Sequence, residues 1–308
     1  MIGLIVAVAV LILILLLSRY TYNICFHVAK DHFEDPYEKI GSDQFRAVQH
    51  LMDKSTRIME QTECEDVYIK SHDGLKLHGR FYDVAKDAPV IIVFHGYRSP
   101  ALRDCAGGFS LGLRLGYNVL AVDQRSHGAS EGRVISFGIR ERYDCLKWIE
   151  YIKERLGEDT PVVLCGISMG AATILMSASL ELPKNVRGVM ADCPYSSPSA
   201  IIRKVSKDVG YPPALAFPFL WLGALIYGGF RLGSCDAVSA VKNTDIPILL
   251  IHGADDHFVP CRMSEEIYEN CKDHAQLHIF PDAGHGLSYI IDHERYEAIC
   301  LKFLQEVV

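Results

Sequence analysis

Pro161-Val162-Val163-Leu164-Cys165-Gly166-Ile167-Ser168-Met169-Gly170-Ala171-Ala172 is the stretch on which the fold turns. Pro161–Gly166 is a short, continuous apolar run, the pattern of a strand buried on both faces. Residues 169–181 are small and apolar and read as a helix. Between the two stands G-x-S-x-G. In a strand-to-helix setting this spacing makes a tight turn that lifts the serine hydroxyl above the sheet edge. The flanking glycines have no side chains to clash across the turn. The helix after the turn aims the positive end of its dipole at the hydroxyl. G-x-S-x-G alone is a common chance match, and the setting is what makes Ser168 read as a nucleophile rather than a turn serine.

The surrounding sequence repeats the rhythm. Val67–Lys70 and Leu75–Tyr82, joined across a His-Asp-Gly turn, read as a hairpin. Buried strands then come at Val90–His95, Asn118–Asp123, Pro161–Gly166, Arg187–Asp192, Ile246–His252 and Gln276–Phe280. Helices are expected at 101–115, 139–156, 169–181, 261–272 and 293–306. Apolar strands spaced by amphipathic helices predict an α/β domain with a mostly parallel central sheet covered on both faces. The stretch from Cys193 to Val241 is too long for a simple crossover. Its segment Pro212–Phe230 is apolar enough to suggest a second membrane span, but Pro218, Gly223 and Gly228-Gly229 interrupt it. It reads as a small apolar helical cap over the strand ends, with ordinary core packing as the alternative.

A serine hydroxyl needs a base, and the base needs an orienting acid. In this architecture the three come in the order Ser, Asp/Glu, His. His285, in the Gly-flanked loop after Gln276–Phe280, is the expected base. His95, His127 and His252 sit at strand ends or turns and are expected to hold loops by hydrogen bonds. Asp255 and Asp256, in the loop after Ile246–His252, both qualify as the acid. Asp192 ends the strand after the nucleophile and is a third candidate. Asp123 also ends a strand but precedes the nucleophile. Two backbone N–H groups should receive the developing oxyanion. One is Met169, directly after the serine. The other is Tyr97, in the loop His95-Gly96-Tyr97, where Gly96 lets the backbone come close to substrate.

The chain has 308 residues, 49% hydrophobic and 22% charged, with a net charge of −7. That excludes disorder as the main state. The acidic balance argues against nucleic acid as a partner. Ten cysteines are scattered, with no CxxC pair, zinc spacing or compact disulfide framework, and read as buried, reduced residues. No metal or organic cofactor is implied.

Ile2–Leu17 has no charged or polar side chain. As a helix it is about 24 Å long, slightly short of a roughly 30 Å hydrocarbon core, and Ser18 and Arg19 extend it, with Tyr20 and Tyr22 at the interface. An uncleaved transmembrane anchor over 1–22 is the preferred reading. A secretory signal is the rival, but the n-region is only Met1 and no A-x-A site comes after it. A buried core helix is the third reading. Arg19 and Lys30 come after the span and none precedes it, so the positive-inside bias puts the domain in the cytoplasm. Residues 23–63, with helical spacing at Phe45, Val48, Leu51 and Met52, read as a juxtamembrane helical segment that packs on the domain and spaces it from the membrane. The domain proper is 64–308, with the cap at about 194–241. The apolar run is an address at the cell membrane and is expected to take no part in the chemistry.

Together these residues resemble the α/β-hydrolase superfamily over nearly all of Val67–Val308. Asp123-Gln124-Arg125-Ser126-His127-Gly128-Ala129-Ser130 is similar to the D-x-R-x-H-G-x-S turn of its serine-aminopeptidase-like and monoglyceride-lipase-like members, where it mainly shapes the site. The layout, with Asp192-Cys193-Pro194-Tyr195 and a short apolar cap, is similar to membrane-anchored Bacillus-type hydrolases. The resemblance carries a D-x-x-V-P spacing that selects Asp256 (Asp256-His257-Phe258-Val259-Pro260) as the acid. The oxyanion loop departs from the H-G-G-G of many lipases. The resemblance implies ester or thioester hydrolysis of a small-molecule acyl substrate, with Ser168, His285 and Asp256 catalytic and Tyr97 and Met169 in the oxyanion hole. A peptidase or acyltransferase on the same three residues, or a non-catalytic membrane binding protein, is the alternative.

Overall fold

The computed structural model describes residues 1–29, 34–38 and 43–308. Lys30, on which part of the orientation expectation rests, lies outside them, as do 31–33 and 39–42 of the juxtamembrane segment. Two helices come first, α1 (Ile2–Cys25) and α2 (Asp43–Gln61). The hairpin β1 (Glu65–Lys70) and β2 (Lys76–Tyr82) leads to β3 (Val90–Phe94), α3 (Ala101–Asp104), α4 (Ala106–Leu115) and β4 (Asn118–Val122). Then come α5 (Glu141–Leu156), β5 (Val162–Ile167), α6 (Met169–Ser177) and β6 (Val186–Asp192). The cap region holds α7 (Pro198–Asp208), α8 (Pro213–Ile226) and α9 (Ala237–Val241). The chain closes with β7 (Ile248–Gly253), α10 (Arg262–Tyr268), β8 (Ala275–Phe280), α11 (Ser288–Ile291) and α12 (His293–Val307).

The eight strands form one sheet in the order β1-β2-β4-β3-β5-β6-β7-β8. Strand β2 runs antiparallel to β1 and β4, and every pair from β4 to β8 is parallel. The period of two is visible in the packing. Val90, Ile92 and Phe94 of β3 join the core on one face, and Ile91 and Val93 join the core on the other. Residues 162–165 of β5 split the same way, which is why neither strand tolerates a polar side chain. Helix α6 is buried along its whole length, which accounts for its small apolar sequence.

Three expected helices differ in detail, one of them the helix expected over 261–272, which ends at Tyr268. The helix expected over 101–115 is divided at Cys105 into α3 and α4. Asp104, at the end of α3, accepts a hydrogen bond from the Gly96 N–H (2.9 Å), which ties that short turn to the loop after β3. The helix expected over 169–181 ends at Ser177.

The strand order fixes where a ligand goes. After β3 the chain lays β4 on one side and then crosses to lay β5 on the other, so the carboxyl ends of β3 and β5 face each other across a crevice. The loops after β3, β5, β6, β7 and β8 all leave from this edge, because the strands are parallel. Helix α1 is 24 residues long and is apolar and long enough to cross a membrane. Its C-terminal part packs against α8.

Candidate active site

The turn between β5 and α6 is as tight as its glycines imply. A Cβ on Gly166 would lie 2.6 Å from the Gly170 carbonyl carbon, and one on Gly170 would lie 2.1 Å from the Phe94 carbonyl oxygen. Backbone passes backbone at both points, so neither position accepts a side chain. Ser168 itself has φ 55° and ψ −115°, a strained conformation for a residue with a Cβ. Its N–H donates to the Asp192 carbonyl (2.8 Å), which helps hold the strained turn against β6.

Ser168, His285 and Asp256 lie in one line of hydrogen bonds. The His285 Nε2 is 2.9 Å from Ser168 Oγ, and its Nδ1 is 2.7 Å from Asp256 Oδ2. An ionised carboxylate only accepts, so Nδ1 carries the proton and Nε2 is free to accept from the hydroxyl. The D-x-x-V-P spacing has a visible cause: Asp256 Oδ1 accepts from the Phe258 N–H (2.9 Å) and the Val259 N–H (2.8 Å), fixing the carboxylate in its loop. Asp256 is buried and Asp255 is exposed. Burial alone would raise the Asp256 carboxyl, but hydrogen bonds from His252 and His285 outweigh it and hold it well below the usual carboxylate range.

His252 is a contact the sequence did not disclose. Fully buried, its Nε2 lies 2.8 Å from the Val259 carbonyl and 3.2 Å from Asp256 Oδ2, and its Nδ1 is 2.6 Å from Ser264 Oγ. It therefore holds the Asp256 loop, as expected of a strand-end histidine, and also touches Asp256 itself. The other histidines stay with their loops. His95 bonds the Gly96 carbonyl and the Gln124 N–H. His127 bonds the Arg125 carbonyl and the Arg98 N–H.

Asp192 is brought near His285 and Asp256 but bonds elsewhere. Burial pushes its carboxyl up to about 6; the nearby His252 and the Tyr296 hydroxyl offset this only in part. Its Oδ1 has no hydrogen-bond partner among the described residues. Asp123 is remote in function, pairing with His78 Nδ1 (2.7 Å) and the Ala129 N–H (2.9 Å). In the same turn Arg125 is almost wholly buried and grips Asp144 (2.6 and 2.7 Å) and Asp73 (2.9 and 3.0 Å).

The two expected oxyanion donors are available. Among the described residues neither the Tyr97 nor the Met169 N–H has an acceptor. A Cβ on Gly96 would lie 3.5 Å from Ser168 Cβ, so the loop after β3 runs directly against the Ser168 turn. Cys193, Asp256 and His285 offer ligand-type atoms within 4.8 Å of one another. A metal there would break the hydrogen-bond line, and burial keeps the Cys193 thiol protonated.

This geometry has a family. Residues 90–299 match the model of the Alpha/beta hydrolase family. The chain belongs to that family. As an alpha/beta hydrolase it is 28% identical over 251 residues to the uncharacterized protein YqkD of Bacillus subtilis, covering 80% of this chain and 81% of that protein. It is 26% identical over 183 residues to the lysophosphatidylserine lipase ABHD12 of Xenopus tropicalis, covering 58% of this hydrolase and 46% of the lipase. Among solved structures it is similar to the Pyrococcus furiosus esterase Pf2001, with a TM-score of 0.66 and 24% identity over 82% of this chain and 93% of the esterase.

Two cavities meet at Ser168 in this hydrolase, and Tyr97 and Phe258 border both. One, of about 430 Å³, has the polar residues Ser55, Ser99, Arg103 and Asp104 in its wall and Phe45 and Met52 of α2 on one side. The other, of about 450 Å³, is lined almost wholly by apolar side chains from α1, α7 and α8. The N-terminal helix, expected to take no part in the chemistry, nevertheless borders the site, a placement its sequence did not disclose. Leu17, Tyr20, Thr21, Ile24 and Cys25 form one wall of the apolar cavity. The physical reason is the far end of α1: the Cys25 carbonyl accepts from the Tyr97 hydroxyl (2.8 Å), and the Ile24 and His27 carbonyls accept from the Arg98 guanidinium (both 2.9 Å). The last helical carbonyls need donors, and the loop after β3 supplies them. Helix α2 packs on the domain as expected, and it also borders a cavity at Ser168. The one hint in the sequence was its helical apolar stripe, two of whose members, Phe45 and Met52, face the cavity.

Proposed function

We propose that this alpha/beta hydrolase is a membrane-anchored serine esterase that cleaves carboxylic esters or thioesters of hydrophobic acyl groups through an acyl-enzyme. The observation that carries the reading is the unbroken line Asp256–His285–Ser168, ending beside an apolar cavity. Ser168 Oγ attacks the acyl carbon while its proton passes to His285 Nε2. Asp256 holds the tautomer that makes Nε2 the acceptor and stabilises the imidazolium that results. The Tyr97 and Met169 amides receive the oxyanion. His285 then returns the proton to the leaving oxygen or sulfur, and a water molecule repeats the sequence to release the acid. The lipase activity of the Xenopus relative supports an acyl ester as substrate.

In this reading residues 1–22 are the anchor, 23–63 the juxtamembrane segment and 64–308 the hydrolase domain, with the cap at about 194–241. The domain faces the cytoplasm by the positive-inside bias of Arg19 and Lys30. The test uses the full chain in detergent or vesicles. Fluorophosphonate labelling and p-nitrophenyl ester turnover should both be present, and Ser168→Ala should abolish labelling and cut turnover at least about 10³-fold. Equal turnover in the two proteins would sink the assignment.

A further inference from the structure

The apolar cavity raises the question of how an acyl chain reaches it. Helix α1 exposes apolar side chains along Ile2–Leu17. Helix α8 lies against it at backbone distance: a Cβ on Gly223 would be 2.6 Å from the Ser18 carbonyl oxygen. The Tyr227 hydroxyl, just past α8, donates to the Leu15 carbonyl (3.2 Å), and the Arg19 guanidinium lies over the rings of Tyr22 and Tyr227. These contacts tie α8 to the level of the apolar run, so wherever Leu15 sits in a bilayer, the C-terminal end of α8 sits too. The free face of α8 suits that place. Leu215, Trp221 and Ile226 are exposed there, with Arg19 beside the C-terminal end of α8 and Arg203 over the Phe217 ring.

The cavity lies between these two helices. Leu17, Tyr20 and Ile24 of α1, Leu215 of α8, and Val209, Tyr211 and Phe258 are at once lining and exposed, so they form its mouth, one side of which lies at the end of the apolar run. Ala216 and Leu220 line the passage inward to Ser168.

We propose that α1 and α8 form a doorway in the membrane surface through which the acyl chain of a bilayer-resident lipid ester enters the apolar cavity, leaving its polar part in the second cavity under α2. The proposal rests on the serine-esterase reading and deepens it: the substrate is a membrane amphiphile presented laterally, and the membrane helix is part of its binding site. The wall chemistry supports the division. An acyl chain moves from one apolar medium to another without exposure to water; the other cavity is mostly apolar as well, but Ser55, Ser99 and the Arg103–Asp104 pair stand in its wall, where a polar leaving group meets them.

The sequence provides its own probe. Its two tryptophans are Trp148, buried in the core, and Trp221, exposed on α8. The full chain reconstituted in vesicles of phospholipid with brominated acyl chains should lose part of its tryptophan emission relative to unbrominated vesicles. Trp221→Phe should remove the quenchable part. Absence of quenching would place α8 outside the acyl region and overturn the doorway. In the same vesicles, Ala216→Trp should slow labelling by a dodecyl fluorophosphonate at least tenfold more than labelling by an ethyl one. Thr21→Trp, on the α1 wall, is the second variant in case the first does not fold. Equal effects on both probes in the folded variant would overturn the cavity's role as the acyl site while leaving Ser168 as nucleophile. Failure of both probes to label the unaltered protein would instead reject the serine-esterase reading itself.

Discussion

Replacing Asp256 by Asn changes one group and leaves the shape of the loop intact. The amide oxygen can keep the hydrogen bonds from the Phe258 and Val259 N–H groups, so the turn should survive. The other amide atom is then an NH₂, and it faces His285 Nδ1 at 2.7 Å and His252 Nε2 at 3.2 Å. His252 keeps its Val259 carbonyl partner at 2.8 Å. Among the described residues His285 has no second partner on Nδ1, so it relieves the donor–donor clash by moving its proton to Nε2. That nitrogen then points a hydrogen at Ser168 and cannot accept one. A wrong tautomer in such a triad costs about 10⁴ in kcat, or roughly 5 kcal/mol of transition-state stabilisation. Stopped-flow acylation of the full chain with a p-nitrophenyl ester reads the step directly, with denaturant midpoints as the control for folding. Asp192→Asn is the companion variant, since Asp192 is the other buried acid near His285. Asp256→Asn staying within tenfold of the unaltered protein, while Asp192→Asn loses 10³-fold or more, would refute the tautomer role of Asp256.

Three further outcomes rest on the packing. Asp192 holds its proton up to about pH 6 when folded, against an ordinary value of 3.8, so the unfolded chain binds fewer protons and stability falls as pH rises through that interval. The loss is roughly 3 kcal/mol; the melting temperature of Asp192→Asn should therefore gain on the unaltered protein from pH 4 to 7, and parallel curves would contradict this. Gly170→Ala puts a Cβ 2.1 Å from the Phe94 carbonyl oxygen, and the backbone must move; a loss of about 1–3 kcal/mol in urea unfolding is expected, and an unchanged midpoint would count against the close approach. Arg125→Met strands the carboxylates of Asp144 and Asp73, with a loss of about 3–5 kcal/mol in denaturant; the folded fraction should retain its hydrolase activity, since Arg125 shapes the turn and does not reach Ser168.

Much of the frame was legible because it rests on local rules. Buried parallel strands must be apolar on both faces, so β3, β5 and β7 announced themselves, and the two glycines around Ser168 marked a turn where backbones touch. The choice among Asp255, Asp256 and Asp192 was not local. It depends on which carboxylate the strand order carries to His285 and which nearby donors hold it charged, and two of those donors, the Phe258 and Val259 amides, are backbone groups that no residue type reveals. His252 belongs to the same class: its place at a strand end suggested a loop support, but its contact with Asp256 exists only once β7 and the loop after it fold back on each other.

By itself the sequence determined the class of sheet, the serine turn, the order of the three side chains and an apolar helix fit for a membrane, since each is a pattern of neighbours along the chain. Only the tertiary structure decided that this helix also walls the cavity at Ser168. Periodicity describes a helix's own faces and says nothing about which loop will cap its last carbonyls. Here the Tyr97 hydroxyl and the Arg98 guanidinium do so, and through them the end of α1 is fastened to the same loop that offers the Tyr97 amide beside Ser168.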